Sequence, residues 1–298
     1  MVNGGTPPEV HIDAELVRSL LRAQRPDLAG LPVVPFANGW DNEMFALGDD
    51  LLVRLPRRSI AADLVVNEQT WLPVLSPHLP LGVPAHVHAG TPAGDYPWHW
   101  SVVPRFAGGP AAAAPELAGT EEATRLAHFL RALHVPAPQD APQNPYRGVP
   151  LFDVVDAFSS RRMQLFLDLA DRGLDPEEIA GIFFRGMDGF RWMHEPVWLH
   201  GDLHAGNIIV DGGRISAVVD WGDICAGDPA CDLSVAYSMF SGEPRAAFLD
   251  AYGQDDLGLR GRARAWAVHF GLAYLASGDG DPMITSLGWR VLASALLP

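Results

Sequence analysis

The chain has 298 residues, 48% hydrophobic with nine Trp, enough to bury a core in each of two lobes and too apolar for a disordered protein. Its 21 basic and 36 acidic residues leave a net charge of −15, which disfavours nucleic acid and anionic membranes and suits cationic small molecules. No apolar run reaches the roughly 18–20 residues of a membrane span, the N-terminus lacks a signal-peptide pattern, and Cys225 and Cys231 form neither a zinc pattern nor a disulfide framework; a cytoplasmic protein with buried thiols is expected.

Residues 11–24 carry Ile12, Leu16, Leu20 and Leu21 at helical spacing and predict a first amphipathic helix. "LPVVPFA", "EMFALG" and "DLLVRLP" follow, separated by the turn formers "NGWDN" and "GDD", and read as an antiparallel meander. Residues 63–79 look helical, and 82–89 and 98–104 look like strands. "PRFAGGP", 104–110, shifts to Pro and Gly without periodicity and reads as a linker. Beyond it the chain is mostly helical: a helix N-capped by Thr120, further helices over 151–171 and 176–194, and four more over 230–240, 243–253, 260–277 and 283–297. The Pro-rich 135–150 reads as a surface connection of variable structure. The division is an N-lobe over 1–103, a linker over 104–110 and a helical C-lobe over 111–298.

The chemistry concentrates in "WLHGDLHAGNIIVDGGRISAVVDWGD", Trp198 to Asp223. A hairpin around Asp211–Gly213 brings the ends of its apolar runs together. Asp202 and Asn207 then share a loop, and Asp220 closes the third run beside them. These hard oxygens suit Mg²⁺, which takes one or two carboxylates together with phosphate oxygens and water. Asp202 is placed to accept a proton from an incoming hydroxyl. His200 and His204 are four apart, but Gly201 stands where a zinc protease needs Glu, so zinc is disfavoured. A two-carboxylate glycosidase pair stays open, because carboxylates on one loop do not reveal their separation. A solvated acidic hairpin is disfavoured because Asp202 and Asp220 abut apolar runs.

"HGDLHAGN" followed by "VVDWGD" closely resembles the catalytic segment of the aminoglycoside phosphotransferase family, small-molecule kinases with a protein-kinase-like fold. The resemblance extends to "GDPACDLSVAY", the meander and the linker. It implies an α+β bilobal fold with a small antiparallel-sheet N-lobe and a larger helical C-lobe. It also implies Asp202 as catalytic base and Asn207 and Asp220 as Mg²⁺ ligands, the parts a phosphoryl-transfer site requires.

Within that family's pattern, Arg54 in "DLLVRLP" stands where the phosphate-binding residue is usually Lys, with Glu68 as its ion-pair partner. The chain contains no lysine, so all its basic residues are Arg. Asn38 and Gly39, in "NGWDN", stand at the phosphate-covering turn, where a plain hairpin turn is an equal reading. Pro104 supplies a backbone carbonyl and Phe106 a backbone N–H to a nucleotide base; both serve equally as hinge packing. Asp228 and Asp232 brace the catalytic loop, with His200 and His204 as supporting hydrogen-bonding groups. Asp223 faces metal or a cationic substrate, and Asp153, Asp156 and "DGD" at 279–281 are candidate substrate contacts.

The expectation is a Mg²⁺-dependent kinase, monomeric or homodimeric, that moves the γ-phosphoryl group of ATP or GTP to a small-molecule hydroxyl. The acceptor is expected to be an antibiotic such as an aminoglycoside. The alternatives are a macrolide, nucleoside antibiotic, sugar or amino-alcohol metabolite as acceptor, or a pseudokinase that binds nucleotide without transferring phosphate.

Overall fold

The computed structural model describes residues 8–38, 41–113, 119–157, 160–189, 191–253, 257–277 and 281–297, without the side chains of 38, 155–157, 160–164, 166 and 277. Two compact units emerge. The first comprises residues up to Pro77, Gly82–Ala107 and Val219–Gly222; the second comprises His78–Leu81, Gly108–Val218 and Asp223–Pro298.

In the first unit, helix α1 (Ala14–Gln24) starts where Asp13 caps the backbone N–H groups of Glu15 at 3.0 Å and Leu16 at 2.8 Å. Its buried stripe is Val17, Leu20 and Leu21. Strands β1 (Val33–Asn38), β2 (Asn42–Leu47) and β3 (Leu51–Pro56) form the expected meander. Helix α2 (Ser59–Leu75) begins four residues before the predicted segment, and a 3₁₀ turn ends it at Ser76–His78. Strands β4 (His88–Gly90) and β5 (Trp100–Pro104) complete a sheet ordered β1-β2-β3-β5-β4. The strand expected over 82–89 is reduced to its end, where Pro84 has no N–H to offer a ladder. The core joins α1 to Phe45, Leu47, Val53, Leu55 and Trp100 of the sheet, each fully buried side chain contributing about 2 kcal/mol.

The second unit opens with β6 (Gly109–Pro110) and continues through α3 (Thr120–Leu133), α4 (Ser160–Asp171) and α5 (Pro176–Asp188). Gly119, not Thr120, occupies the cap position of α3, since its backbone is extended and Thr120 is already helical. The helix expected over 151–171 divides into a 3₁₀ segment, Leu151–Ala157, and α4. Strands β7 (Val197–Leu199), β8 (Ile208–Asp211), β9 (Arg214–Val218) and β10 (Cys225–Gly227) follow, with β8 and β9 joined at Gly212 and Gly213. The sheets are β6-β8-β9 and β10-β7.

The chain closes with α6 (Ala230–Leu233), α7 (Val235–Met239), α8 (Gly242–Tyr252), α9 (Leu259–Ser277) and α10 (Pro282–Leu296). The helix expected over 230–240 is thus two short ones. Ala263, Trp266, Val268 and Leu272 of α9 are all fully buried, so this helix is enclosed by its neighbours. No helix among the described residues is long and apolar enough to cross a membrane.

The architecture is the α+β arrangement expected from the resemblance, a small antiparallel-sheet unit and a larger, mostly helical one. The chain passes from one unit to the other at Ala107–Gly108, and Val219–Gly222 is grouped with the first unit, a crossing that linear boundaries do not anticipate. The Pro-rich 135–150 differs from expectation. Its Pro142 and Gly148 carbonyls accept the backbone N–H groups of Ala226 at 3.0 Å and Asp228 at 2.8 Å, so this connection is tied to the strand and turn ahead of α6.

Candidate active site

The first unit presents a buried cation. Alternation along β3 turns Val53 and Leu55 toward the α1 core and Arg54 toward the opposite face, where α2 lies. There Arg54 Nη1 donates to Glu68 Oε2 at 2.6 Å, with both side chains almost fully buried. Arg54 Nη2 reaches Asp220 Oδ1 at 3.3 Å. Burial opposes the guanidinium charge, but Glu68 and Asp220 outweigh it and hold Arg54 protonated.

Asp220 is the one non-glycine residue with positive φ, 64°, among the described residues. Asp tolerates this left-handed conformation better than most residues, and a held outlier is common at functional sites. Its side chain stays 60% exposed, leaving carboxylate oxygen free for another partner. Asn38 ends β1 opposite Glu43, whereas Gly39 lies outside the described residues. Pro104 ends β5, and the Phe106 N–H makes no hydrogen bond among the described residues.

The second unit presents the loop that carries Asp202. Asp232, fully buried on α6, accepts the His200 N–H at 2.7 Å through Oδ2 and the Gly201 N–H at 2.9 Å through Oδ1. His134 Nε2 approaches the same carboxylate at 3.2 Å, and its Nδ1 meets the Tyr252 hydroxyl at 2.8 Å. Burial pushes the Asp232 carboxyl up, but the His134 hydrogen bond and the charges and N–H groups around it prevail, leaving it below the usual aspartate range. Asp228 is held by Arg262 Nε at 2.6 Å and Nη2 at 3.2 Å and caps Ala230 N–H at 3.0 Å.

On this braced loop the Asp202 side chain is 25% exposed. Its Oδ1 lies 3.4 Å from Arg147 Nη2, and its Oδ2 lies 3.7 Å from His204 Nε2. Gly206 N–H donates to His204 Nδ1 at 3.0 Å, which leaves the imidazole proton on Nε2, facing the carboxylate. His200 Nδ1 accepts the Asp202 N–H at 3.3 Å. Asn207 is mostly buried and donates Nδ2–H to the Asp202 carbonyl at 2.9 Å; its Oδ1 has no hydrogen bond among the described residues. The amide is thereby oriented with its oxygen unspent.

The fit to Mg²⁺ rests on donor chemistry. Asn207 Oδ1 and an Asp220 carboxylate with oxygen to spare are hard donors of the kind Mg²⁺ accepts beside phosphate and water. Among the described residues no group of three or more His, Cys, Asp or Glu could hold a metal ion by itself.

The proposed substrate contacts fare differently. Asp223 accepts Asn144 Nδ2–H at 2.7 Å and lies 3.8 Å from Arg147, so its charge is partly met from within the protein. Asp153 is exposed on the 3₁₀ segment, and the Asp156 side chain lies outside the described residues. Of "DGD" at 279–281, Asp281 caps α10 by accepting the Met283 N–H at 2.8 Å, a structural duty; Asp279 lies outside the described residues.

Arg147, Asn144, His134 and Arg262 have no place in the sequence reading of the site. The one available signal is that Arg147 is the sole Arg between Arg131 and Arg161, set within a Pro-rich segment.

Comparisons with known proteins show the family of the chain. A family model described as the phosphotransferase enzyme family matches residues 32–266, most of the chain. The chain belongs to that family. As a member it is an O-phosphotransferase, with the two-part kinase-like fold seen above. No curated protein gives a significant match. Among solved structures, the GDP and kanamycin complex of APH(2")-IIia is similar at 19% identity and a TM-score of 0.72, over 94% of this chain and 98% of that one. The streptomycin–ATP–APH(2")-IIa ternary complex has 19% identity and a TM-score of 0.60, over 97% and 100%. The macrolide 2'-phosphotransferase MphH from Brachybacterium faecium has 22% identity and a TM-score of 0.59, over 96% and 98%.

Proposed function

We propose that this phosphotransferase moves the γ-phosphoryl group of ATP or GTP to a hydroxyl of a small molecule, with an antibiotic as the acceptor class. The carrying observation is Asp202, a partly exposed carboxylate on a loop whose backbone Asp232 clamps from a buried position. Asp202 takes the proton of the acceptor hydroxyl as the oxygen attacks phosphorus. Arg54, kept in place and charged by Glu68, neutralises nucleotide phosphate oxygens, a role that a bidentate guanidinium can perform in place of an ammonium. Asn207 and Asp220 are the proposed ligands of Mg²⁺, which when bound offsets the charge of the phosphates. The Phe106 N–H and the Pro104 carbonyl are available to the nucleotide base.

The similar structures with kanamycin or streptomycin, and the net charge of −15, support an aminoglycoside. A second reading, an acceptor without an amino group beside its reacting hydroxyl, such as a nucleoside antibiotic or a sugar, is favoured by one observation. The two acids that would greet an ammonium there, Asp202 and Asp223, already face Arg147.

The test is a phosphorylation screen over aminoglycosides, macrolides, nucleoside antibiotics and simple sugars, with ATP and GTP and with Mg²⁺ or chelator. The Asp202→Ala protein should lose roughly 10²–10⁴ in rate on the acceptor found. Wild-type turnover by that variant would remove Asp202 from the role. Nucleotide binding without transfer to any acceptor would identify a pseudokinase instead.

A further inference from the structure

Arg147 is a cation built into the surroundings of the proposed base by residues distant in sequence. Its side chain is 21% exposed, and its guanidinium carbon lies 5.0 Å from the Phe270 ring centroid, a cation–π contact that helps hold the group. Gly148 anchors the segment that carries it. With φ of +66°, a Cβ there would meet Leu199 Cδ1 at 2.3 Å, and the Gly148 carbonyl accepts the N–H of Asp228, itself locked by Arg262. The guanidinium is therefore delivered to a set position.

Its donors are only partly used. Both ion-pair contacts, 3.4 Å to Asp202 Oδ1 and 3.8 Å to Asp223 Oδ2, come from Nη2. Nε is buried without a partner, and Nη1 has no partner among the described residues. Arginine offers five N–H donors and no acceptor; burial closes Nε to a ligand, so the unspent Nη1 donors beside the base mark a place for an oxygen of a ligand. Burial opposes the charge, but Asp202 and Asp223 outweigh it and keep Arg147 protonated. Asn144 Nδ2 occupies Asp223 Oδ1 at 2.7 Å, which further reduces what Asp223 can offer a cation.

We propose that Arg147 determines acceptor choice: it selects molecules whose reacting hydroxyl is flanked by an oxygen (hydroxyl, carbonyl or carboxylate) and rejects those with an ammonium there. This rests on Asp202 being the base. An ammonium brought beside Asp202 meets a fixed like charge within a few ångströms, partly shielded from solvent, whereas a flanking oxygen accepts the unused Nη1 N–H groups. The overall acidity of the chain draws cations to its surface, and Arg147, set against Asp202 and Asp223, weakens that preference at the point of reaction.

Two measurements on purified protein test this. In calorimetry with kanamycin as the cationic probe, Arg147→Gln should bind at least about tenfold more tightly than wild type, the effect of removing about 1.4 kcal/mol of repulsion. Arg147→Lys, which keeps the charge, should bind kanamycin like wild type; matched melting temperatures would show that all three proteins are folded. In phosphorylation assays, wild type should favour amine-free acceptors, and Arg147→Gln should lower their kcat/KM relative to amine-bearing ones by about tenfold or more. Equal kanamycin affinity in wild type and Arg147→Gln, no kanamycin binding by either, or a wild-type preference for aminoglycosides would overturn the proposal. Phosphorylation of any acceptor in those cases leaves the kinase reading standing. If no acceptor is phosphorylated, that reading fails with transfer itself, whatever kanamycin binding shows about the charge at Arg147.

Discussion

The Asp232 carboxylate accepts the backbone N–H of His200 at 2.7 Å while fully buried, which makes one side chain of α6 responsible for the conformation of the loop that carries Asp202. Its other oxygen holds Gly201, and His134 supports it from α3 and its C-cap. Removing the acid would leave two loop N–H groups and an imidazole without their shared acceptor.

This arrangement has a pH signature. The Asp232 carboxyl is held below the usual aspartate range in the folded protein, so the folded state binds its proton less readily than the unfolded chain does. The stabilisation is complete above the unfolded aspartate range, near pH 4, and is lost as pH falls through the folded value. Asp232→Asn should cost about 2–4 kcal/mol at neutral pH, the scale for losing hydrogen bonds to a buried charge. In urea unfolding, the gap between wild type and variant should narrow on acidification below about pH 4. A gap independent of pH would show that the carboxylate charge is not what holds the loop.

Arg54 and Glu68 form a buried pair in which Glu68 is the leading counter-charge of Arg54. Arg54→Met should destabilise the protein by about 3–5 kcal/mol, because it removes one ion of a buried pair. Arg54→Lys should recover part of that loss. The Lys variant should also retain nucleotide-dependent thermal stabilisation, since an ammonium can meet phosphate as a point charge. Melting curves with and without Mg²⁺ and ATP separate the two effects.

Asn207 divides its amide between duties, with nitrogen on the Asp202 carbonyl and oxygen left over. Asn207→Leu should therefore reduce turnover and raise the Mg²⁺ concentration needed for half-maximal rate. Chelator should abolish transfer in wild type, and restored Mg²⁺ should recover it. An unchanged Mg²⁺ requirement in the variant would exclude Asn207 as a ligand.

Gly201 sits at φ +86°, and a Cβ there would lie 2.3 Å from the Asp223 carbonyl oxygen. Backbone cannot swing aside as a flexible side chain can. Gly201→Ala should cost about 1–3 kcal/mol from conformation alone and more from the overlap, read as a lowered melting temperature. The accompanying fall in activity should exceed that of a surface Gly→Ala control.

Much of the protein is local in origin and was legible from its residues. The apolar stripe of Leu16, Leu20 and Leu21 announced α1, though not its Asp13 cap, the segment opening at Pro176 announced α5, and the turn after Asp211 joins β8 to β9. The order Asp202, Asn207 and Asp220 within one short segment was enough to suggest hydroxyl activation beside phosphate and metal, because loop chemistry and strand ends are set by neighbours in the chain. The pairing of Arg54 with Glu68 was also foreseeable, since a strand and the helix that follows it bring such partners to one face.

What only the tertiary structure decided is which distant groups surround those residues. Arg147 is 55 residues from Asp202, and His134 is 98 from Asp232; no periodicity or spacing encodes such meetings. They arise because the Asp232 carboxylate on α6 holds the loop that carries Asp202, and the Gly148 carbonyl holds Asp228 just ahead of α6, which fixes nearby side chains as a consequence. The net charge of −15 describes the whole surface, but the charge beside Asp202 depends on one arginine that packing put there. Sequence thus determined the reaction class of this chain, and the fold determined the electrostatic surroundings of Asp202, its proposed base.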